Sequence, residues 1–212
     1  MNKRLWKIIF AVLFLALPAA SYGELITISI SGYVTSVSDK YGNLEDKIHV
    51  NNILTGTYTF DSEMSDSNPS STVGDYQYNV SPAGISLSCG GFVFKTDPAN
   101  VSFLVEVGND SSTGDSYVVI SYNNLSLSNG VLVDYISWQL DDSTGTALSS
   151  DALPLCAPDL TKWQPWCGLY IDGERGGGYL IKVDITSATL IPEPATFLFL
   201  SCGLWFTRRL AK

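Results

Sequence analysis

Between its two ends the chain alternates apolar and polar residues with a period of two. Ile26, Ile28 and Ile30 fall on one side, and Thr27, Ser29 and Ser31 on the other. Tyr58 and Phe60 alternate with Thr57, Thr59 and Asp61. Val101, Phe103, Val105 and Val107 share one face, and Ile181, Val183 and Ile185 oppose Lys182, Asp184 and Thr186. Successive strand side chains point to opposite faces, so a period of two with one apolar side describes a half-buried antiparallel strand. No stretch in this region shows a period near 3.6, and no internal repeat is visible.

Turn chemistry joins these runs. Asn129-Gly130 between Tyr117–Leu127 and Val131–Leu140 predicts a tight hairpin, and Gly90-Gly91 between Ile85–Ser88 and Phe92–Lys95 a second. The polar stretch Asn109–Asp115 predicts a loop, which makes Val101 to Leu140 a three-stranded meander. Nine strands follow: 25–37, 53–61, 75–80, 83–88, 92–96, 101–107, 117–127, 131–140 and 179–190. That many short strands predicts an all-β fold, a single antiparallel β-sandwich of jelly-roll type. Trp138 alternates with Ile136 and Leu140 and belongs to the core. Asp134 breaks that face and predicts a bulge or a partnered buried carboxylate.

The two ends follow a different pattern. Lys3, Arg4 and Lys7 precede an uncharged apolar run, Ile8 to Ala20, and Ser21-Tyr22-Gly23 offers small residues before Glu24. This is the layout of a secretory signal peptide, residues 1–23, and the apolar run is short for a membrane anchor. At the other end stand Pro192-Glu193-Pro194-Ala195-Thr196, an apolar run to Phe206, and Arg208-Arg209. The two prolines fix φ and remove two donors, so a strand cannot continue through them. The run is short for a spanning helix, and the basic residues after it favour a cytoplasmic end.

That order of Pro-Glu-Pro, apolar segment and arginines, closing a chain that opens with an export signal, resembles a PEP-CTERM sorting signal. Cys202 and Trp205 depart from the Leu, Gly and Ala usual in such a segment. Two inner stretches are similar to exported PEP-CTERM proteins: Thr55-Gly56-Thr57-Tyr58-Thr59-Phe60-Asp61 and Cys89-Gly90-Gly91-Phe92-Val93-Phe94. The resemblance implies a Gram-negative, exopolysaccharide-producing bacterium. It implies an exosortase as processing partner, transient residence in the inner membrane, and a final place at the cell surface or in the extracellular matrix. Pro192, Glu193, Pro194, Arg208 and Arg209 would be the sorting residues. The chain then divides into a signal-peptide helix 1–23, a β domain 24–190 and a sorting tail 191–212 with a short transmembrane helix and a basic end.

Composition narrows what the exported part can do. Residues 24–191 hold 20 acidic and 6 basic residues, a formal charge of −14. Nucleic-acid binding needs a basic patch and is disfavoured. Cys156 and Cys167 flank a loop rich in Pro and Trp, in a chain bound for an oxidising compartment, and predict a disulfide. Cys89 reads as a small buried hydrophobe.

No motif for chemistry stands out. His49 is the only histidine, and no Gly-x-Ser-x-Gly, His-Glu-x-x-His or Walker loop occurs. Glycoside hydrolysis needs only two carboxylates, and Glu106 and Glu174 are the candidates by type, yet nothing pairs them. Asp61, Glu63 and Asp66 cluster in one loop and Asp141-Asp142 in another, without the spacing of an EF-hand; solvated turn carboxylates are the simpler reading. Trp163 and Trp166 offer faces that stack on sugar rings, or they plug one end of the fold. The sequence therefore predicts a non-enzymatic structural or adhesive protein without catalytic residues, cofactor or metal. The alternative is a glycan-binding module using Trp163 and Trp166, with exopolysaccharide as partner. A glycoside hydrolase comes last.

Overall fold

The computed structural model describes residues 24–173 and 178–192, apart from the side chains of Pro165 and Trp166. The signal segment and the tail beyond Pro192 lie outside the described residues, and so do the helices expected there. The described residues form ten strands: β1 (Leu25–Asp39), β2 (Ile53–Asp61), β3 (Val73–Tyr78), β4 (Gly84–Cys89) and β5 (Phe92–Lys95). After them come β6 (Phe103–Ser111), β7 (Gly114–Ser121), β8 (Tyr135–Asp142), β9 (Pro165–Gly173) and β10 (Tyr179–Ile191). A 3-10 turn at Leu160–Lys162 precedes β9. Among these residues no helix is long and apolar enough to cross a membrane.

All strand pairs are antiparallel, and the ten strands make one continuous sheet in the order β3-β6-β7-β8-β9-β10-β1-β2-β4-β5. The all-β, antiparallel class is as the alternation predicts. The hydrogen bonding runs unbroken from β3 to β5, and no boundary divides it into two sheets. The sheet curls, and its inward residues meet across the interior. Tyr58 on β2 packs edge-on against Trp138 on β8 with ring centroids 5.7 Å apart. Trp138 also meets Tyr117 on β7 edge-on at 6.3 Å. The Tyr58 and Tyr117 hydroxyls lie 3.1 Å apart, fully buried, and burial pushes both phenols well above their ordinary range.

Inward alternation is followed almost without exception. Ile26, Ile28 and Ile30 are buried, as are Val105, Val107, Ile136, Leu140, Ile181 and Val183. The Gly90-Gly91 turn is as expected: both glycines have positive φ, 57° and 82°, and Cys89 pairs with Phe92 across them. The meander also holds, since β6, β7 and β8 are neighbours in order.

Three sequence expectations are corrected. Asn129-Gly130 does not close a tight hairpin. Gly130 has φ 86° and the Leu127 amide donates to the Val131 carbonyl, but β7 ends at Ser121 and β8 begins at Tyr135. The turn therefore tips a loop of about a dozen residues, because Asn124 turns back to bond the Ser121 and Val133 carbonyls. Asp134 precedes β8 and is not a bulge within it; its amide donates to the Asp172 carbonyl at 2.8 Å. A tenth strand, β9, occupies residues assigned to a disulfide loop.

One outward patch is uniform: Thr27, Ser29 and Ser31 on β1, Thr55, Thr57 and Thr59 on β2, Ser86 and Ser88 on β4, and Ser187 and Thr189 on β10. Ser29 lies between Thr189 and Thr57, and Thr57 faces Ser86. Ser31 lies between Ser187 and Thr55, and Thr55 faces Ser88. Thr27 and Thr59 share a hydroxyl hydrogen bond of 3.0 Å. No charged side chain interrupts this array.

Candidate functional site

The adjoining strands carry a cleft. Its walls come from Thr35 on β1, Gly168, Leu169 and Tyr170 on β9, and Lys182, Val183 and Asp184 on β10, with Trp163, Gln164 and Cys167 at one end. The cavity volume is about 380 Å³. Alternation explains why these residues share it: Gly168 and Tyr170 on β9 face outward beside Lys182 and Asp184 on β10. In register, Asp184 is opposite Gly168 and Lys182 opposite Tyr170. A bulge between Val34 and Ser36 turns Thr35 toward the same place, where its hydroxyl donates to the Lys182 carbonyl at 3.2 Å.

The Lys182 ammonium stands over the Tyr170 ring, 5.6 Å from its centroid. That is within the range of a cation–π contact. Among the described residues no carboxylate lies within ion-pair distance of Lys182. The cleft thus presents one cation, one carboxylate, an aromatic wall and a floor without a side chain.

Trp163 lines this cleft but is buried, only 4% exposed. Its ring therefore packs as part of the core, which is the plugging role weighed for it. Trp166 sits on β9 with its backbone opposite Asp141, and its side chain lies outside the described residues.

The expected Cys156–Cys167 disulfide is not formed. Cys89, Cys156 and Cys167 are free thiols. Cys167 is held in β9 opposite Leu140, and its thiol donates to the Ile185 carbonyl at 3.5 Å. Cys156 is exposed in the preceding loop. The spacing suggested a closed loop, but its second half is locked into the sheet by pairing with β8. Burial raises the pKa of the Cys167 thiol and that of the buried Cys89 thiol.

The remaining candidates scatter. Pro192 follows β10 and is exposed; Glu193, Pro194, Arg208 and Arg209 lie outside the described residues, as does Glu174. Glu106 on β6 is half-buried directly opposite Asp75 on β3, and burial together with the Asp75 charge raises its pKa. Neither residue lines the cleft. His49 is exposed, 3.8 Å from Asp46.

The turn carboxylates are engaged in local hydrogen bonds. Asp61 accepts from the Glu63 amide, and Asp66 from the amides of Asn68 and Asp75. Asp141 accepts from the Gln139 side chain. Asp142 is buried and accepts from the Thr144 hydroxyl and the amides of Thr144, Thr146 and Ala147. The Thr144 hydroxyl first, then the Thr146 and Thr144 amides, hold its carboxyl well below the usual carboxylate range. Among the described residues no three His, Cys, Asp or Glu side chains gather as a metal site.

Sequence reasoning passed over Tyr170, Lys182, Asp184 and Thr35. One signal was available: Lys182 and Asp184 are the two charged residues on the outward side of β10. No family model, no curated protein and no solved structure matches the chain.

Proposed function

We propose that this is an exported cell-surface or matrix protein of a Gram-negative bacterium, with a structural or adhesive role and no catalysis of its own. The observation that carries the proposal is the order of Pro192-Glu193-Pro194, apolar run and Arg208-Arg209 after an N-terminal export signal. The tail would be read by an exosortase during a transient stay in the inner membrane, and the acidic domain would then stand among exopolysaccharide. Both terminal segments are taken as helices of the precursor. The curled sheet is taken as a sandwich-like variant of one sheet, because β2 faces β7 and β8 through Tyr58, Tyr117 and Trp138.

Two features of the domain support this reading. Neither opposed carboxylate pair on the strands, Asp75 with Glu106 or Asp115 with Asp142, lines the cleft, which counts against a two-carboxylate hydrolase there. Alternation also gives the sheet a hydroxyl-rich, charge-free outer array suited to a hydrated surroundings. Mass spectrometry of surface material from the producing cell tests the sorting route. A mature chain ending near Pro192-Glu193-Pro194 is the expected result. An intact Lys212 on surface material would overturn it.

A second reading, glycan binding, is favoured by one observation: Trp163 lines a cleft that also holds Tyr170, Lys182 and Asp184. Its buried ring moves the sugar-contacting role to the exposed side chains beside it.

A further inference from the structure

We infer that the cleft over Gly168 receives a terminal ring of an uncharged glycan, with Tyr170, Lys182 and Asp184 as its recognising groups. This rests on the glycan-binding reading and goes beyond it by naming the site and the class of sugar.

Size is the first argument. A cavity of about 380 Å³ lies near the lower end of ligand pockets, which span roughly 300–1,000 Å³. It suits one or two rings at a chain end better than a long strand of polymer. Gly168 makes the space. It stands at an outward position opposite Asp184, where any other residue would project a side chain into the cleft.

The polar groups supply the second argument. Asp184 and Lys182 are two residues apart on one face of β10, about 7 Å along the strand. A carboxylate accepts and an ammonium donates, so neighbouring sugar hydroxyls can satisfy both. Gln164 adds a group of each kind at the end of the cleft. Tyr170 offers a ring whose face is apolar and whose edge is polar, the combination that packs on a pyranose.

Charge is the third. The cleft's one positive and one negative side chain cancel. An anionic sugar meets Asp184 and the domain's formal charge of −14; a cationic sugar meets Lys182 at close range but is drawn by that same domain charge. A neutral polyol uses both groups and is opposed by neither.

The test uses the purified protein and saturation-transfer NMR with calorimetry. The probes are glucose, galactose, mannose, cellobiose and lactose, with glucuronate and glucosamine as charged counterparts. At least one neutral sugar should bind, and glucuronate about tenfold more weakly. Asp184→Asn and Lys182→Met should each weaken binding by about tenfold, the scale of losing one charge-assisted hydrogen bond. Gly168→Val should abolish binding while amide spectra and melting stay those of a folded protein. Thr57→Val, on the hydroxyl array, should leave binding unchanged.

Glucuronate binding as tightly as glucose would overturn the neutral class. Neutral-sugar binding untouched by Asp184→Asn and Gly168→Val would overturn the site and leave the glycan reading standing. No binding of any sugar by the parent protein would sink both readings.

Discussion

Two stretches of the same outer surface follow the same alternation and end up with different chemistry. From Thr27 to Ser31 on β1, Thr55 to Thr59 on β2 and Ser86 to Ser88 on β4 the outward positions are Ser or Thr, charge-free and regular. On β9 and β10 the outward residues Gly168, Tyr170, Lys182 and Asp184 line a cavity. Thr suits an exposed pleated surface, so the first stretch is explained by strand formation alone. The second departs from strand preference at Gly168 and gains a recess there, because a glycine in a strand weakens it and opens space above it. Recognition chemistry is therefore to be sought where the pattern is interrupted.

The largest way to break this contrast is to remove what both stretches are built on. Trp138 is fully buried between Tyr58 and Tyr117. Trp138→Ala should cost about 3–5 kcal/mol, measured by denaturant unfolding, and the cleft and the array should be lost in a single transition.

Asp142 offers a more local break. It anchors the start of the loop whose far end supplies Trp163 and Gln164, and the Ser143 amide donates to the Gln164 carbonyl at 3.2 Å. Asp142→Ala leaves the Thr144, Thr146 and Ala147 amides without their acceptor. Faster hydrogen exchange at those amides and weaker sugar binding are expected, with the hydroxyl array unaffected. Because the folded pKa is depressed, the carboxylate's stabilising effect is present above the ordinary Asp range and fades only as pH falls through the lower folded value. A loop that loosened near pH 4 in the parent protein would contradict this.

A smaller effect, of opposite sign, is expected at Glu106. Its folded pKa is raised, by burial first and Asp75 second. The group therefore favours the fold below its ordinary pKa, and that contribution is lost as pH rises through the raised value. Glu106→Gln should stabilise the protein near neutral pH by about 0.5 kcal/mol, the scale of like charges facing across strands. The gain should vanish in mild acid. A melting-temperature series against pH decides it, and an unchanged difference across the series counts against the opposed-charge explanation.

The smallest effect belongs to the array. Ser88→Lys, at an exposed position on β4, should change stability by no more than about 0.5 kcal/mol and leave sugar binding intact. A large loss in either would mean that the array has a role beyond forming strands.

The legible part of the fold was the part governed by alternation. The inward residues of β1, β2, β6 and β10 could be named from the sequence because burying one face of a strand requires that pattern. Turns with glycine at positive φ were legible where two strands meet directly, as at Gly90-Gly91. They misled at Asn129-Gly130, where the same local turn tips a longer loop held by Asn124. Strand β9 was missed because Pro165, Trp166, Cys167 and Gly168 do not alternate cleanly. They are strand because all four pair with β8 and Gly168 pairs with β10 as well. The expected disulfide failed for the same reason, since it depended on those residues being loop.

The site was less legible. Trp163 was singled out and does line the cleft, but as a buried support. Tyr170, Lys182 and Asp184 looked like the ordinary solvent side of strands, and only the register places Gly168 opposite Asp184. What the sequence determined by itself was the β class, the inward residues, the acidic surface and the pattern at the two ends, because these depend on local periodicity and composition. What only the tertiary structure decided was the order of strands, the curl that brings Tyr58 to Trp138, and the recess over Gly168. Those depend on which strands pair and in which register, and such long-range pairings are fixed by packing across the core.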